Sequence, residues 1–186
     1  MRPFICAALA LAVVGFAADA RAADALDGTL ATCWSCHGVE GASNDHTLPI
    51  LWGQKAKYIE KQIRDFREGD REDQIMSSMA SSIKKDDISR AASLIAAKAW
   101  PKTQAVAAAA PDSIEACKGC HGSDLTGGES PEGPAPRLAG QFAEYLTAQM
   151  EAFAHGDRRN QKTMQAMMKS LKPDERAGLA AYLAGL

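Results

Sequence analysis

The sequence predicts an all-α chain in which one small domain occurs twice in tandem. Three observations predict it. The chain repeats itself: Pro49-Ile50-Leu51-Trp52-Gly53-Gln54 is echoed by Pro136-Arg137-Leu138-Ala139-Gly140-Gln141. Tyr58, Gln62, Phe66, Gly69 and Arg71 return at the same offset of 87 as Tyr145, Gln149, Phe153, Gly156 and Arg158. After one inserted residue, Met76, Met79, Ile83 and Asp86 return at 88 as Met164, Met167, Leu171 and Asp174. The apolar periodicity inside each copy is helical, and no segment alternates as a half-buried strand does. A repeat this long, present twice, is a duplicated domain rather than a solenoid.

The elements follow in order. Arg2, the apolar run Phe4–Ala18 and the small-x-small site Ala20-Arg21-Ala22 read as a secretory leader over residues 1–22, which carries Cys6 away with it. The first domain is expected over residues 23–98 and the second over 112–186, with a linker at 99–111 that opens on a helix-stopping Pro101. Each domain begins with a short helix, Asp24 to Cys33 and Asp112 to Cys120. A turn-rich loop follows, Gly38 to Pro49 and Gly122 to Pro136, three residues longer in the second copy. Next comes an amphipathic helix, with Tyr58, Ile59, Gln62, Ile63 and Phe66 on one stripe and Tyr145, Leu146, Gln149, Met150 and Phe153 on the other. Gly69 and Gly156 end these helices. Tyr58, Phe66, Tyr145 and Phe153 are expected in the core, and the charged run Arg64–Asp73 in solvent. A methionine-bearing segment and a last helix, starting near Asp86-Asp87 and Pro173-Asp174-Glu175, complete each copy.

The chemistry sits in two pentapeptides, Cys33-Trp34-Ser35-Cys36-His37 and Cys117-Lys118-Gly119-Cys120-His121. Both read Cys-x-x-Cys-His, the attachment pattern of c-type haem. Thiols three positions apart on one helical turn can add to the two vinyl groups of one porphyrin, and the adjoining histidine then lies under the iron. Two covalent haem c groups are therefore expected, on Cys33 and Cys36 and on Cys117 and Cys120, with His37 and His121 as proximal ligands. A Cys-x-x-Cys redox couple competes for either motif taken singly. A shared four-thiolate zinc site fits less well, because the pairs stand 84 residues apart (117 minus 33).

Charge excludes another class. The whole chain carries a net −2, and by count residues 23–98 hold 10 Lys+Arg against 12 Asp+Glu while residues 112–186 hold 8 against 10. No basic stripe marks a nucleic-acid partner. After the leader, no apolar run approaches the roughly 20 residues that cross a bilayer.

Each iron needs a further axial ligand or an open coordination position. Candidates are Met76, Met79 and His46 in the first copy, and Met164, Met167, Met168 and His155 in the second. The repeat pairs Met76 with Met164 and Met79 with Met167, whereas the two histidines have no counterparts. Spacing does not choose between the methionine pairs, since methionine also serves as core filler.

The order of these motifs, Cys-x-x-Cys-His, Pro-x-Leu-x-Gly-Gln, Tyr-x-x-x-Gln, Phe-x-x-Gly, methionine, helix, and then all again, resembles the di-haem cytochrome c4 family from end to end. The resemblance implies a class I cytochrome c fold for each copy, with one haem c in each. It implies Met76 and Met164 as the axial methionines, seven residues before Ile83 and Leu171. It also implies that the carbonyls of Pro49 and Pro136 accept the ring N–H of His37 and His121. The last helix of such domains carries an aromatic that packs on the first helix; Tyr182 fits, and its counterpart Leu94 departs from the pattern. The expected function is a periplasmic electron carrier, not an enzyme, between a membrane donor such as a quinol-oxidising complex and a terminal oxidase or reductase. The competing expectation is the electron-accepting cytochrome subunit of a dehydrogenase such as a flavocytochrome c sulfide dehydrogenase. Peripheral association with a membrane is left open by the sequence.

Overall fold

In the computed structural model the described residues are 26–103, 106 and 108–186. The leader expected over residues 1–22 lies outside them. In the first half, helix α1 covers residues 26–37 and is followed by α2 (Ala56–Glu68), α3 (Gln74–Ser82), a 3-10 turn (Lys85–Asp87) and α4 (Ile88–Ala96). In the second half, a 3-10 turn (Asp112–Ile114) leads into α5 (Glu115–His121), two short strands, α6 (Ala143–His155), α7 (Lys162–Ser170) and α8 (Pro173–Ala184).

Local chemistry sets the helix ends. Gly69 and Gly156 take left-handed φ values of 86° and 87° and close α2 and α6 through hydrogen bonds to the carbonyls of Asp65 and Ala152. A side chain there would cost about 1–2 kcal/mol in backbone strain. Asp73 opens α3, its carboxylate accepting the N–H groups of Ile75 and Met76 at 3.0 and 2.8 Å. Pro173 opens α8, where the Glu175 carboxylate accepts the Lys172 N–H at 2.7 Å.

Each half has its own hydrophobic cluster. Leu26, Leu30, Ile59, Ile63, Phe66, Ile88 and Ile95 build the first; Ile114, Leu146, Met150, Phe153, Met168, Leu179 and Leu183 build the second. An arginine ties the end of each methionine helix to its core, though from a different place. Arg67 of α2 donates through Nη1 to the carbonyls of Ala80, Ser81 and Ile83. Arg176 of α8 donates to those of Met168 and Leu171 while pairing with both oxygens of Glu151 at 2.8 Å. Both satisfy C-terminal carbonyls that the helix itself leaves open.

The strands are a feature that the helical periodicity does not anticipate. In the longer second loop, β1 (Gly128–Ser130) pairs antiparallel with β2 (Gly133–Ala135). Three residues per strand are too few for an alternating pattern to register. The hairpin tip braces the start of α7: Glu132 accepts Gln161 Nε2 on its carbonyl at 3.0 Å and Thr163 Oγ1 on its carboxylate at 2.9 Å.

The two halves meet through the residues the repeat picks out. Gln54 Nε2 donates to the Arg137 carbonyl (3.0 Å) and its Oε1 accepts the Arg137 N–H (2.7 Å). Reciprocally, Gln141 grips Ile50 at carbonyl (3.1 Å) and N–H (3.0 Å). Arg71 donates to Gln62 and Gln149, both at 2.7 Å, and to the Tyr145 hydroxyl at 3.4 Å. Arg158 mirrors it, donating to Gln149 and Gln62 at 2.8 Å and to the Tyr58 hydroxyl at 3.1 Å. Each guanidinium also lies 4.4 Å from the ring centroid of its own Phe66 or Phe153. The offset of 87 carries every one of these partners onto its counterpart, so the interface is self-complementary, like the two-fold contact of a homodimer.

Two expectations change here. Tyr58 and Tyr145 are half-buried and turn their hydroxyls toward the opposite half instead of filling their own cores. The run Arg64–Asp73 is not wholly solvated either, since Asp65 is buried beside Asn160 of the second half (2.6 Å) and Arg71 crosses the interface. Removing one member leaves desolvated groups unpaired, so Arg158→Ala should lower the unfolding free energy by about 2–4 kcal/mol. Chemical denaturation of the haem-loaded protein, followed by circular dichroism, measures this.

Candidate haem sites

Helix α1 ends on His37 and α5 ends on His121, which puts each pentapeptide on the last helical turn before a loop. Both loops then return to a proline that meets the histidine. His37 Nδ1 stands 2.9 Å from the Pro49 carbonyl and His121 Nδ1 stands 2.9 Å from the Pro136 carbonyl. A carbonyl can only accept, so Nδ1 carries the proton and Nε2 keeps its lone pair. Both rings are buried, at 7% and 6% exposure. Burial pushes each imidazole below its ordinary pKa, the prolyl carbonyl partly opposing it. The result in each half is a neutral, oriented imidazole with one free nitrogen, the state an axial ligand requires.

The thiols are placed for one partner on the same turn. All four are free; Cys117 is buried, Cys33 and Cys120 are half-buried and Cys36 is exposed. Burial raises the Cys33 and Cys117 thiols above their ordinary pKa. A dithiol exchange couple works through a thiolate at lowered pKa, so this environment runs against that reading. Among the described residues, no three His, Cys, Asp or Glu side chains converge as a metal site, so the two cysteine pairs do not form a shared zinc cluster.

The second half has an apolar cleft beside its pentapeptide. A cleft of about 380 Å³ separates α5 from α7, lined by Ala116 and Cys117 on one wall and by Ala166, Met167 and Leu171 on the other. It is mostly apolar and opens beside the Cys117 thiol; His121 and Met164 are not among its lining residues. Planar apolar haem fits this chemistry.

The structure separates the methionine candidates from the histidines, while Met76, Met79, Met164 and Met167 are all half-buried. Met76 and Met164 sit in the first turns of α3 and α7 and pack partly buried against their cores, and Met167 does so as well. Met168 is 1% exposed, a core residue of the second half. His46 is exposed, stacked on Phe142 of the opposite half at 4.2 Å and 3.7 Å from Glu144. His155 is exposed beside Glu151 at 3.8 Å. Both histidines thus have surface partners.

The halves differ around the first pentapeptide. Trp34, inside the motif, stands edge-on to Trp52 with centroids 5.8 Å apart, and Lys98 Nζ lies 4.7 Å from the Trp52 centroid. The second copy has Lys118 and Ala139 in place of the two tryptophans. The resemblance-based aromatic contact also holds for one half only: Tyr182 packs against the second core, whereas Leu94 is 37% exposed.

Two such sites, each with a tethered imidazole and paired thiols and joined through one symmetric seam, define a class: a c-type cytochrome with two haem c groups on class I cytochrome c folds. Comparison with known proteins narrows it. The cytochrome c family model matches residues 103–186. Cytochrome c4 of Pseudomonas aeruginosa is 30% identical, the match covering 96% of this chain and 95% of that protein. The thiosulfate dehydrogenase electron acceptor of Stutzerimonas stutzeri is 29% identical over 83% of this chain and 78% of its own. The solved structure of Acidithiobacillus ferrooxidans cytochrome c4 superposes with a TM-score of 0.72 at 29% identity, covering 83% of this chain and 98% of that one. The chain belongs to the cytochrome c4 family.

Proposed function

We propose that this protein is an exported, periplasmic carrier of single electrons, with no catalytic chemistry of its own. The observation that carries the reading is the duplicated imidazole tether, a buried neutral histidine pinned by a prolyl carbonyl in both halves. Electron exchange gains from ligands that do not rearrange when the charge on the metal changes, and a buried, hydrogen-bonded ring is such a ligand.

Bound haem c supplies an iron that cycles between ferrous and ferric states. In this assignment Cys33 and Cys36 tether the haem of residues 23–98, and Cys117 and Cys120 that of residues 112–186. His37 and His121 would offer Nε2 to the iron, and the Met76 and Met164 thioethers would serve as its further ligands. A thioether donates weakly, so it favours the reduced state and raises the potential. Arg71 and Arg158 bring positive charge to the seam, where their side-chain hydrogen-bond acceptors are neutral amides and hydroxyls. Among the described residues no helix is long and apolar enough to cross a membrane, in keeping with a mobile carrier that docks transiently.

The partners proposed are a quinol-oxidising complex as donor and a terminal oxidase or reductase as acceptor. A redox titration of the native protein should show two one-electron steps, and the reduced protein should not bind carbon monoxide. Rapid binding at either haem would contradict a closed iron. The relative named as a thiosulfate dehydrogenase electron acceptor favours a second reading, the accepting subunit of a dehydrogenase. A second chain with its own cofactor, co-eluting with the native protein in fixed ratio, would establish that one instead.

A further inference from the structure

The seam between the halves touches each haem site at one peptide bond. In the first half this is the bond joining Pro49 to Ile50. Its oxygen accepts His37 Nδ1–H at 2.9 Å, and its N–H donates to Gln141 Oε1 of the other half at 3.0 Å. In the second half the bond joining Pro136 to Arg137 does the same, accepting His121 Nδ1–H at 2.9 Å and donating to Gln54 Oε1 at 2.7 Å. Each glutamine also grips the next carbonyl with its Nε2, so the residue after each proline is clamped on both sides. Gln54 and Gln141 are 4% and 3% exposed, and each spends its remaining lone pair on the backbone N–H of Lys55 or Phe142 at the start of its own helix. Both amides are held at oxygen and nitrogen and shielded from solvent.

We infer that Gln54 and Gln141 are crossed positioning residues: each orients and polarises the proximal histidine of the opposite half. This rests on His37 and His121 being the axial ligands proposed above. The mechanism is the cooperativity of chained hydrogen bonds. An acceptor on the peptide N–H draws electron density through the amide toward its oxygen and makes that oxygen a better acceptor. The tethered imidazole then leans further toward imidazolate, a stronger donor to the metal that favours the ferric state. Removing Gln141 should therefore raise the potential of the first-half haem, and removing Gln54 that of the second-half haem. A polar amide serving only to glue the halves together predicts no such crossing.

The test uses the haem-loaded full-length chain. Protein-film voltammetry resolves the two waves, and the Met76→Ala and Met164→Ala variants assign them to their halves. Gln141→Met keeps the side-chain length and removes the hydrogen bonds. At a fixed potential it should raise the reduced-to-oxidised ratio of the first-half haem by about twofold to fivefold and leave the second-half haem unmoved. Gln54→Met should give the converse. Gln141→Glu and Gln54→Glu keep an oxygen acceptor at the same reach, so the upward shift should vanish or reverse. As a second readout, the Nδ1–H proton resonance of the opposite histidine in the reduced protein should move upfield in each Met variant, and this needs no wave assignment. Shifts confined to the haem of the mutated half, equal shifts in both, or none in either would overturn the inference. Two haems per chain with closed irons in the same preparation would leave the carrier reading intact.

Discussion

Met164→Ala is expected to erase the far-red methionine-to-iron charge-transfer band of one haem and to lower that haem's potential by on the order of 0.2 V, a fraction of the roughly 0.8 V that axial ligands span. Met76→Ala should do the same to the other haem. The effect is large because a thioether is replaced by water or by nothing, and ferrous iron loses the ligand that favours it. The structure makes the contrast with Met167 worth measuring. Met164 and Met167 lie three positions apart on α7, and Met167 lines the cleft beside Cys117. If Met164 is the ligand, Met167→Ala enlarges an apolar wall and changes stability without touching the band. Optical spectra and voltammetry of the four variants Met76→Ala, Met79→Ala, Met164→Ala and Met167→Ala decide it. Loss of the band in the Met79 and Met167 variants instead would place the ligand one helical turn further on.

Cys117→Ala with Cys120→Ala is expected to leave one haem per chain and to unfold most of the second half. A unit of about 75 residues holds roughly 4–11 kcal/mol of stability at 0.05–0.15 kcal/mol per residue. Losing a bound, crosslinking haem removes on the order of 5 kcal/mol, much of that total. The structure points to where collapse begins: α7 faces the α5 cleft, its start is braced by the hairpin tip at Glu132 and its far end by Arg176. The first half should be weakened less, through the lost partners of Gln62, Gln54 and Arg71 at the seam. Amide hydrogen exchange resolved by segment measures both. Protection in α6, α7 and α8 equal to that of the parent would mean that the haem is not what holds this half together.

Much of this was legible in the sequence, and the parts that were not share a cause. The paired thiols and the helix-ending glycines are legible because their chemistry is local, a thiol spacing and a left-handed residue, whereas the prolyl bonds to His37 and His121 came from the family resemblance. Tyr58 and Arg71 repeat just as clearly, yet the structure places them against the opposite half and not in their own core or in solvent. A residue matched at an offset of 87 can recur because both copies need it in their own cores, or because the copies need it against each other. Helical periodicity treats the two alike, since the seam is a continuation of the same apolar stripe. The polar character of Gln62 and Gln149 within that stripe was the one available clue, because a buried amide demands partners that its own helix does not supply. The hairpin at Gly128–Ala135 is shorter than any periodicity can detect. Arg67 and Arg176 do one job from non-equivalent positions, so no repeat could have paired them.

The most direct measurement is the haem-to-polypeptide ratio of protein made in a host able to mature c-type cytochromes, by intact mass and by haem absorbance on the same sample. The expected result is two covalent haems on every chain, one lost when Cys33 and Cys36 are replaced and the other when Cys117 and Cys120 are replaced. A mature chain carrying one haem or none, or haem that extracts into acidified organic solvent, would contradict the account at its root.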